Sequence, residues 1–305
     1  MQVEQRLIST VAETTPRKHL WQTIVTLFKL RVVSLLLLSA YGGAVLGFLA
    51  TGQSSWGAWL ILTVTGLLSA MGASAINQYL ERERDQTMRR TARRPLATGE
   101  IARPERVLWL GIGMIAAATG LALLINLPMA IAILAGALIY VVIYTIWLKP
   151  RTSLNIVIGG AAGSCAVLSG GAALGAWADP AVWLLAALIF VWTPVHFWAL
   201  ALACRDDYVE ADYPMLPTRI SAQAAAGWTA LHTVLTLGFG LALGLVPAVD
   251  ALYLLLMLPI SLFLTHRTIQ LWRTPVKASA WRLFHMSNLY LATLLLILLA
   301  APIWR

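Results

Sequence analysis

The sequence predicts an all-α polytopic membrane protein, with about nine transmembrane helices around a central cavity, and two observations carry that prediction. Of the 305 residues, 59% are hydrophobic and only 11% are charged, which is more apolar surface than one water-soluble core can hide. A spanning helix needs roughly 20 largely apolar residues, and such stretches are centred near Leu38, Leu68, Ala116, Ala137, Ala162, Ala187, Leu237, Leu256 and Leu294.

Residues 1–32 read as a cytoplasmic segment ahead of the first span. Residues 1–19 are polar and include Glu4 and Glu13, which argues against a cleavable signal or an organelle transit peptide. Trp21 to Leu30 has the make-up of a short interfacial helix. Residues 33–305 read as one transmembrane domain. Its outer links, such as Thr51–Ser55 and Asn126–Pro128, are short, whereas the inner loops after spans two and six are long and polar. Four spans separate those two loops, a spacing consistent with two parallel four-helix repeats that each deliver a charged loop to the same face.

The net charge of +9 raises the question of a nucleic-acid partner, and the placement of the basic residues answers it. On the nine-span pattern 21 of the 22 Lys and Arg fall on one side, and only Arg305 falls on the other. By the positive-inside rule this puts the N-terminus in the cytoplasm and the C-terminus outside a cell plasma membrane. The basic balance therefore reports topology and contact with anionic membrane lipid, not nucleic acid. Eleven of the thirteen carboxylates are also on the inner side, with Asp179 and Asp250 facing out. None is expected at mid-membrane, where ion-coupled transporters keep theirs. Cys165 and Cys204 are isolated, without metal-ligand spacing, and read as packing residues.

Chemistry concentrates where span two ends, in Asn77-Gln-Tyr-Leu-Glu81-Arg-Glu-Arg-Asp85. If the helix continues into the loop, Asn77, Glu81 and Asp85 share one face at i, i+4 and i+8. Such oxygen donors suit Mg²⁺, which commonly bridges one or two carboxylates to substrate phosphates. Immediately downstream, Arg89, Arg90, Arg93 and Arg94 offer guanidinium forks for phosphate oxygens. The competing reading is a solvated loop of Glu and Arg pairs that anchors the inner side. A second acidic cluster, Asp206, Asp207, Glu210 and Asp212, lies at the inner end of span six. Two such clusters at one face point to metal-assisted ionisation of an allylic diphosphate.

These residues resemble the intramembrane prenyltransferase superfamily and, within it, the heme-modifying branch, the protoheme farnesyltransferases or heme O synthases. The resemblance covers nearly the whole chain. Its first motif is met by Asn77, Asp85, Met88, Arg90, Thr91, Arg94, Pro95 and Leu96, with Glu81 in place of the family's first Asp. Further matches are Tyr144-Thr145-x3-Lys149-x2-Thr152-x2-Asn155, Trp192-Thr-Pro194-Val-His196-Phe-Trp198, and Asp207-Tyr208-x2-Ala211-x2-Pro214-Met-Leu-Pro217. The chain departs from the family at Cys165-Ala-Val, where a Pro-Pro pair is usual, and at Ala211, where the superfamily's second Asp would fall.

The resemblance implies the intramembrane prenyltransferase fold and the Mg²⁺-dependent transfer of a farnesyl group from farnesyl diphosphate to a vinyl group of heme b, giving heme O and diphosphate. It implies Asn77, Glu81, Asp85 and Asp207 as the catalytic metal-binding set, with Asp206 and Asp212 left open as further ligands. Arg90, Arg94, Lys149, Tyr144 and Asn155 are the implied substrate contacts, and His196 is implied at the porphyrin. A downstream heme-modifying membrane enzyme is the implied partner. His196 follows Pro194, whose ring breaks local helix bonding, and an intramembrane His otherwise serves as an interhelical hydrogen-bonding group. His232, His266 and His285 read as structural, and the thirteen Trp as interface belt or packing. The rivals are a prenyltransferase of an aromatic quinone precursor and a transporter or lipid-binding scaffold with charged gates.

Overall fold

The computed structural model describes residues 20–247 and 249–303. The expectations for residues 1–19 lie outside the described residues. Helix α1 covers Leu20–Leu27, and the spans follow as α2 (Leu30–Thr51), α3 (Trp56–Thr87), α4 (Pro104–Ala122) and α5 (Leu127–Leu138), which runs on as a π-helix over Ile139–Leu148. The short α6 (Asn155–Gly159) leads into α7 (Ala161–Ala173). Then come α8 (Pro180–Ala203), the short α9 (Arg205–Glu210) and α10 (Leu216–Arg219), and the last three spans, α11 (Ala222–Gly244), α12 (Ala251–Arg273) and α13 (Lys277–Ala300). Among the described residues nine helical segments are long and apolar enough to cross a membrane, one at each of the nine expected centres. Large apolar side chains such as Leu124, Val234 and Leu255 stand exposed on outward faces, which lipid and not water would cover. The chain is a multi-pass membrane protein.

Local chemistry starts these helices. Ser55, Asn126, Asp179, Ser221 and Asp250 sit at N-caps, where each side-chain oxygen accepts a backbone N–H of the first turn. Proline occupies the first turn of α4, α5 and α8, where no intrahelical donor is lost. Apolar helices gain nothing from hydrophobic exclusion inside lipid, so close backbone approach supplies their contact. Between α2 and α7 that approach needs glycine: a Cβ on Gly43 would collide with the Val167 carbonyl, and one on Gly170 with that of Ala40.

Consecutive spans pack in chain order, from α2 through α5, α7 and α8 to α13, and α13 returns to pack on α2, closing a ring. Contacts of α2 with α7 and of α8 with α13 tie it across. The loops after α3 and α8 emerge at the same end and meet there: Met88, Trp198, Tyr208, Tyr213 and Met215 share one buried cluster.

One element differs from its reading as a regular span. The inner half of the fourth span bonds i→i+5, as in Lys149 N–H to Tyr144 O at 2.8 Å. The Thr145 hydroxyl adds its own bond to the Tyr140 carbonyl at 2.8 Å. A π turn holds more residues than an α turn, so Tyr140, Thr145 and Lys149 come onto one side. Such segments recur at functional sites.

Candidate active site

The site begins with the length of α3. Its 32 residues carry an apolar body and a charged end, and the helix does continue to Thr87. Asn77, Glu81 and Asp85 therefore line one face, and all three are buried, at 1%, 6% and 3% exposure. Burying carboxylates is costly unless they are paired, and each of these is paired. Glu81 accepts a short hydrogen bond from the Lys149 ammonium. Both oxygens of Asp85 accept from Arg94, at 2.7 and 2.9 Å, and Arg94 also stands 3.9 Å from Glu81. The Asn77 amide donates to Thr145 Oγ1 at 3.1 Å and accepts from Lys29 Nζ at 2.5 Å.

Lys29 completes the cluster, and its backbone explains how. Gln78 donates to the carbonyls of Thr26 and Leu27 at 2.7 and 2.8 Å, and Ser74 donates to that of Leu27 at 3.2 Å. These bonds pin the end of α1 against α3. The chain then turns through a left-handed residue, Lys29 at φ 49° and ψ 48°, a conformation that costs a non-glycine residue about 1–3 kcal/mol. The turn aims Nζ at Asn77 and, at 3.0 Å, at the Tyr140 hydroxyl. Burial, and then the neighbouring Arg94 charge, hold the Lys29 pKa well below its ordinary value. Burial likewise lowers that of Lys149, with Glu81 opposing the shift. The Lys149 ammonium also lies over the Tyr213 ring, 4.4 Å from its centroid.

Three basic side chains thus meet two carboxylates in a largely buried site. The π-helix supplies Tyr140 and Thr145, and its C-cap residue is Lys149. Tyr144 stacks on Tyr140 with centroids 5.8 Å apart.

The other expected residues are more dispersed. Asp207 accepts the backbone N–H of Arg90 at 3.4 Å, and the Arg90 guanidinium donates to the Tyr208 hydroxyl at 3.4 Å. This joins the two loops, but Asp207 makes no contact with Asn77, Glu81 or Asp85. Asp206 and Asp212 are exposed. Asn155 is buried at the start of α6, its Nδ2 bonded to the Thr152 carbonyl at 2.6 Å and its Oδ1 without a partner. His196 lies apart from the cluster, between α8 and α13. Lys29, Tyr140 and Thr145 were not among the expected site residues, Thr145 entering only as part of a matched motif. Lys29 resembled any other positive-inside anchor, and the five-residue spacing of the other two belongs to no regular helix face.

Among the described residues no three His, Cys, Asp or Glu side chains form a metal-binding group. The donors that are present, two carboxylates and an amide oxygen on one helix face, still match what Mg²⁺ takes from protein when phosphates complete its shell. Lys149, Arg94 and Lys29 bind those oxygens, and basic groups in this position can balance the negative charge of a diphosphate.

The UbiA prenyltransferase family matches residues 36–296. A protoheme IX farnesyltransferase of Sulfurisphaera tokodaii is 42% identical over 277 residues, covering 90% of this chain and 91% of that one. Among solved structures, a digeranylgeranylglyceryl phosphate synthase superposes with a TM-score of 0.76 at 16% identity, covering 93% of this chain and 99% of the other. A UbiA homologue from Archaeoglobus fulgidus, bound to DMAPP and Mg²⁺, superposes with a TM-score of 0.66 at 16% identity over 90% and 99% of the two chains. At that identity the structures speak for the fold, whereas the length and identity of the sequence match speak for descent: the chain belongs to the UbiA prenyltransferase family, alongside the protoheme IX farnesyltransferases.

Proposed function

We propose that this prenyltransferase moves a farnesyl group from farnesyl diphosphate to a vinyl group of heme b, with Mg²⁺, to form heme O. The observation that carries the diphosphate half is the buried face of Asn77, Glu81 and Asp85, met by Lys29, Lys149 and Arg94. The heme half rests on the relative called a protoheme IX farnesyltransferase. The prenyl diphosphate and Mg²⁺ bound to the A. fulgidus homologue support the donor class and the metal.

Asn77, Glu81 and Asp85 would hold Mg²⁺, with Asp207 approaching from the second loop. When bound, the metal supplies Lewis-acid stabilisation of charge on the diphosphate. The side chains do the rest. Lys29, Lys149, Arg94 and Arg90 fix the diphosphate oxygens and stabilise the charge that grows as the allylic C–O bond breaks. Tyr144 and the unpartnered Asn155 Oδ1 line the approach. The vinyl group attacks the allylic carbon and water then adds to the resulting cation, so one farnesyl diphosphate, one heme b and one water give heme O, diphosphate and a proton. The charged face is cytoplasmic in a plasma membrane, with the N-terminus inside and the C-terminus outside. Residues 1–32 precede the catalytic domain, and the product passes to a further heme-modifying membrane enzyme.

The test is to incubate purified protein with heme b, farnesyl diphosphate and Mg²⁺, with and without EDTA, and analyse the heme by chromatography and mass spectrometry. Conversion to heme O that EDTA abolishes is the expected result. Intact heme b, with prenylation of an aromatic quinone precursor added in a parallel incubation, would overturn the acceptor and keep the donor chemistry.

A further inference from the structure

Between α8 and α13 one imidazole is held rigidly. His196 stacks on Trp192 with ring centroids 4.8 Å apart and an interplanar angle of 17°, and on Phe284 at 4.5 Å and 30°. Phe197 meets it edge-on at 5.1 Å. Contact with three aromatic rings restricts rotation of the imidazole. Its Nδ1 lies 3.1 Å from Ser287 Oγ. The Ser287 hydroxyl has one proton, and the Phe284 carbonyl, 2.8 Å from its oxygen, can only accept it. With that proton on the carbonyl the serine oxygen accepts at His196, which places the imidazole hydrogen on Nδ1 and the lone pair on Nε2, whereas a proton turned to Nδ1 reverses the tautomer. Nε2 has no hydrogen-bond partner among the described residues. Ser287 also fixes the stacking partner, because its backbone carbonyl accepts the Trp192 indole N–H at 2.9 Å.

A histidine that binds metal gives one ring N–H to an acceptor and keeps the other nitrogen bare, and the acceptor raises its basicity. Resting on the heme b reading above, we propose that Ser287 is a positioning residue, which holds His196 as the Nδ1–H tautomer so that Nε2 bonds axially to the iron of the porphyrin substrate. Neutral imidazole is a common iron donor.

The experiment titrates the purified full-length protein in lipid nanodiscs with ferric heme b and, separately, with iron-free protoporphyrin IX, reading absorption and electron paramagnetic resonance. Binding of farnesyl diphosphate is measured in parallel as a check of folding. The wild type is expected to give a histidine-ligated ferric spectrum that His196→Ala loses. Ser287→Ala should bind ferric heme about 10-fold more weakly or worse, with a changed spectrum, and bind protoporphyrin IX as the wild type does. Ser287→Thr, which keeps the hydroxyl, should restore the spectrum. The proposal is overturned if Ser287→Ala retains the wild-type heme affinity and spectrum, or if it weakens both porphyrins equally, which would mark a packing role. A wild type that binds farnesyl diphosphate but neither porphyrin would overturn the heme b reading, and the Ser287 role with it.

Discussion

Asp85 holds the Arg94 guanidinium with both oxygens, so Asp85→Ala removes a proposed metal ligand and frees an arginine in one step. Turnover is expected to fall about 10²-fold or more, measured as heme O formed per minute under saturating substrates; near-normal turnover would remove Asp85 from the mechanism. Lys29→Met removes an ammonium from the amide end of the same face. A hydrogen bond to a charged group contributes about 1.5–3 kcal/mol, so kcat/KM for the prenyl diphosphate should drop about 10- to 100-fold, and steady-state kinetics with varied donor check it. The two positions differ in how visible they are from sequence. Asp85 stands in a dense motif whose helical spacing already aligns it with Asn77 and Glu81. Lys29 depends on a left-handed turn and on Gln78 gripping the carbonyls of another helix, which no local pattern announces.

At the scale of elements, apolar length was enough to find all nine spans, because a membrane helix must satisfy its own backbone and advertises that in an unbroken apolar run. The same run conceals how its carbonyls are paired. Nothing in Ile139–Leu148 distinguishes i→i+5 from i→i+4 bonding, yet that difference brings Tyr140, Thr145 and Lys149 onto the face of α3. The contact of α2 with α7 offers a test of packing. Gly170→Leu has no room beside the Ala40 carbonyl, and overpacking of this kind costs about 1–3 kcal/mol or more. Its Tm in detergent should fall clearly, whereas Gly113→Leu, at a position with open space around it, should leave Tm near the wild-type value.

For the whole molecule the question is which way it faces. With 21 of 22 basic residues on one side of the span pattern, single cysteines introduced near residue 100 should react with an impermeant maleimide only after cells are opened, and ones placed near residue 127 should react in intact cells. The reverse pattern would invert the orientation and move the charged face outside. The return of α13 onto α2 bears on how the protein is made. Ribosomes deliver α2 well before α13, so until α13 emerges the helices stand as an open crescent with one seam unsealed. α13 closes that seam and, in the same event, brings Ser287 and Phe284 to His196, whose own helix was inserted earlier. Completion of the fold and assembly of the histidine site are therefore a single late step, and an interruption before Lys277 would leave the α3 motif synthesised but the imidazole unsupported.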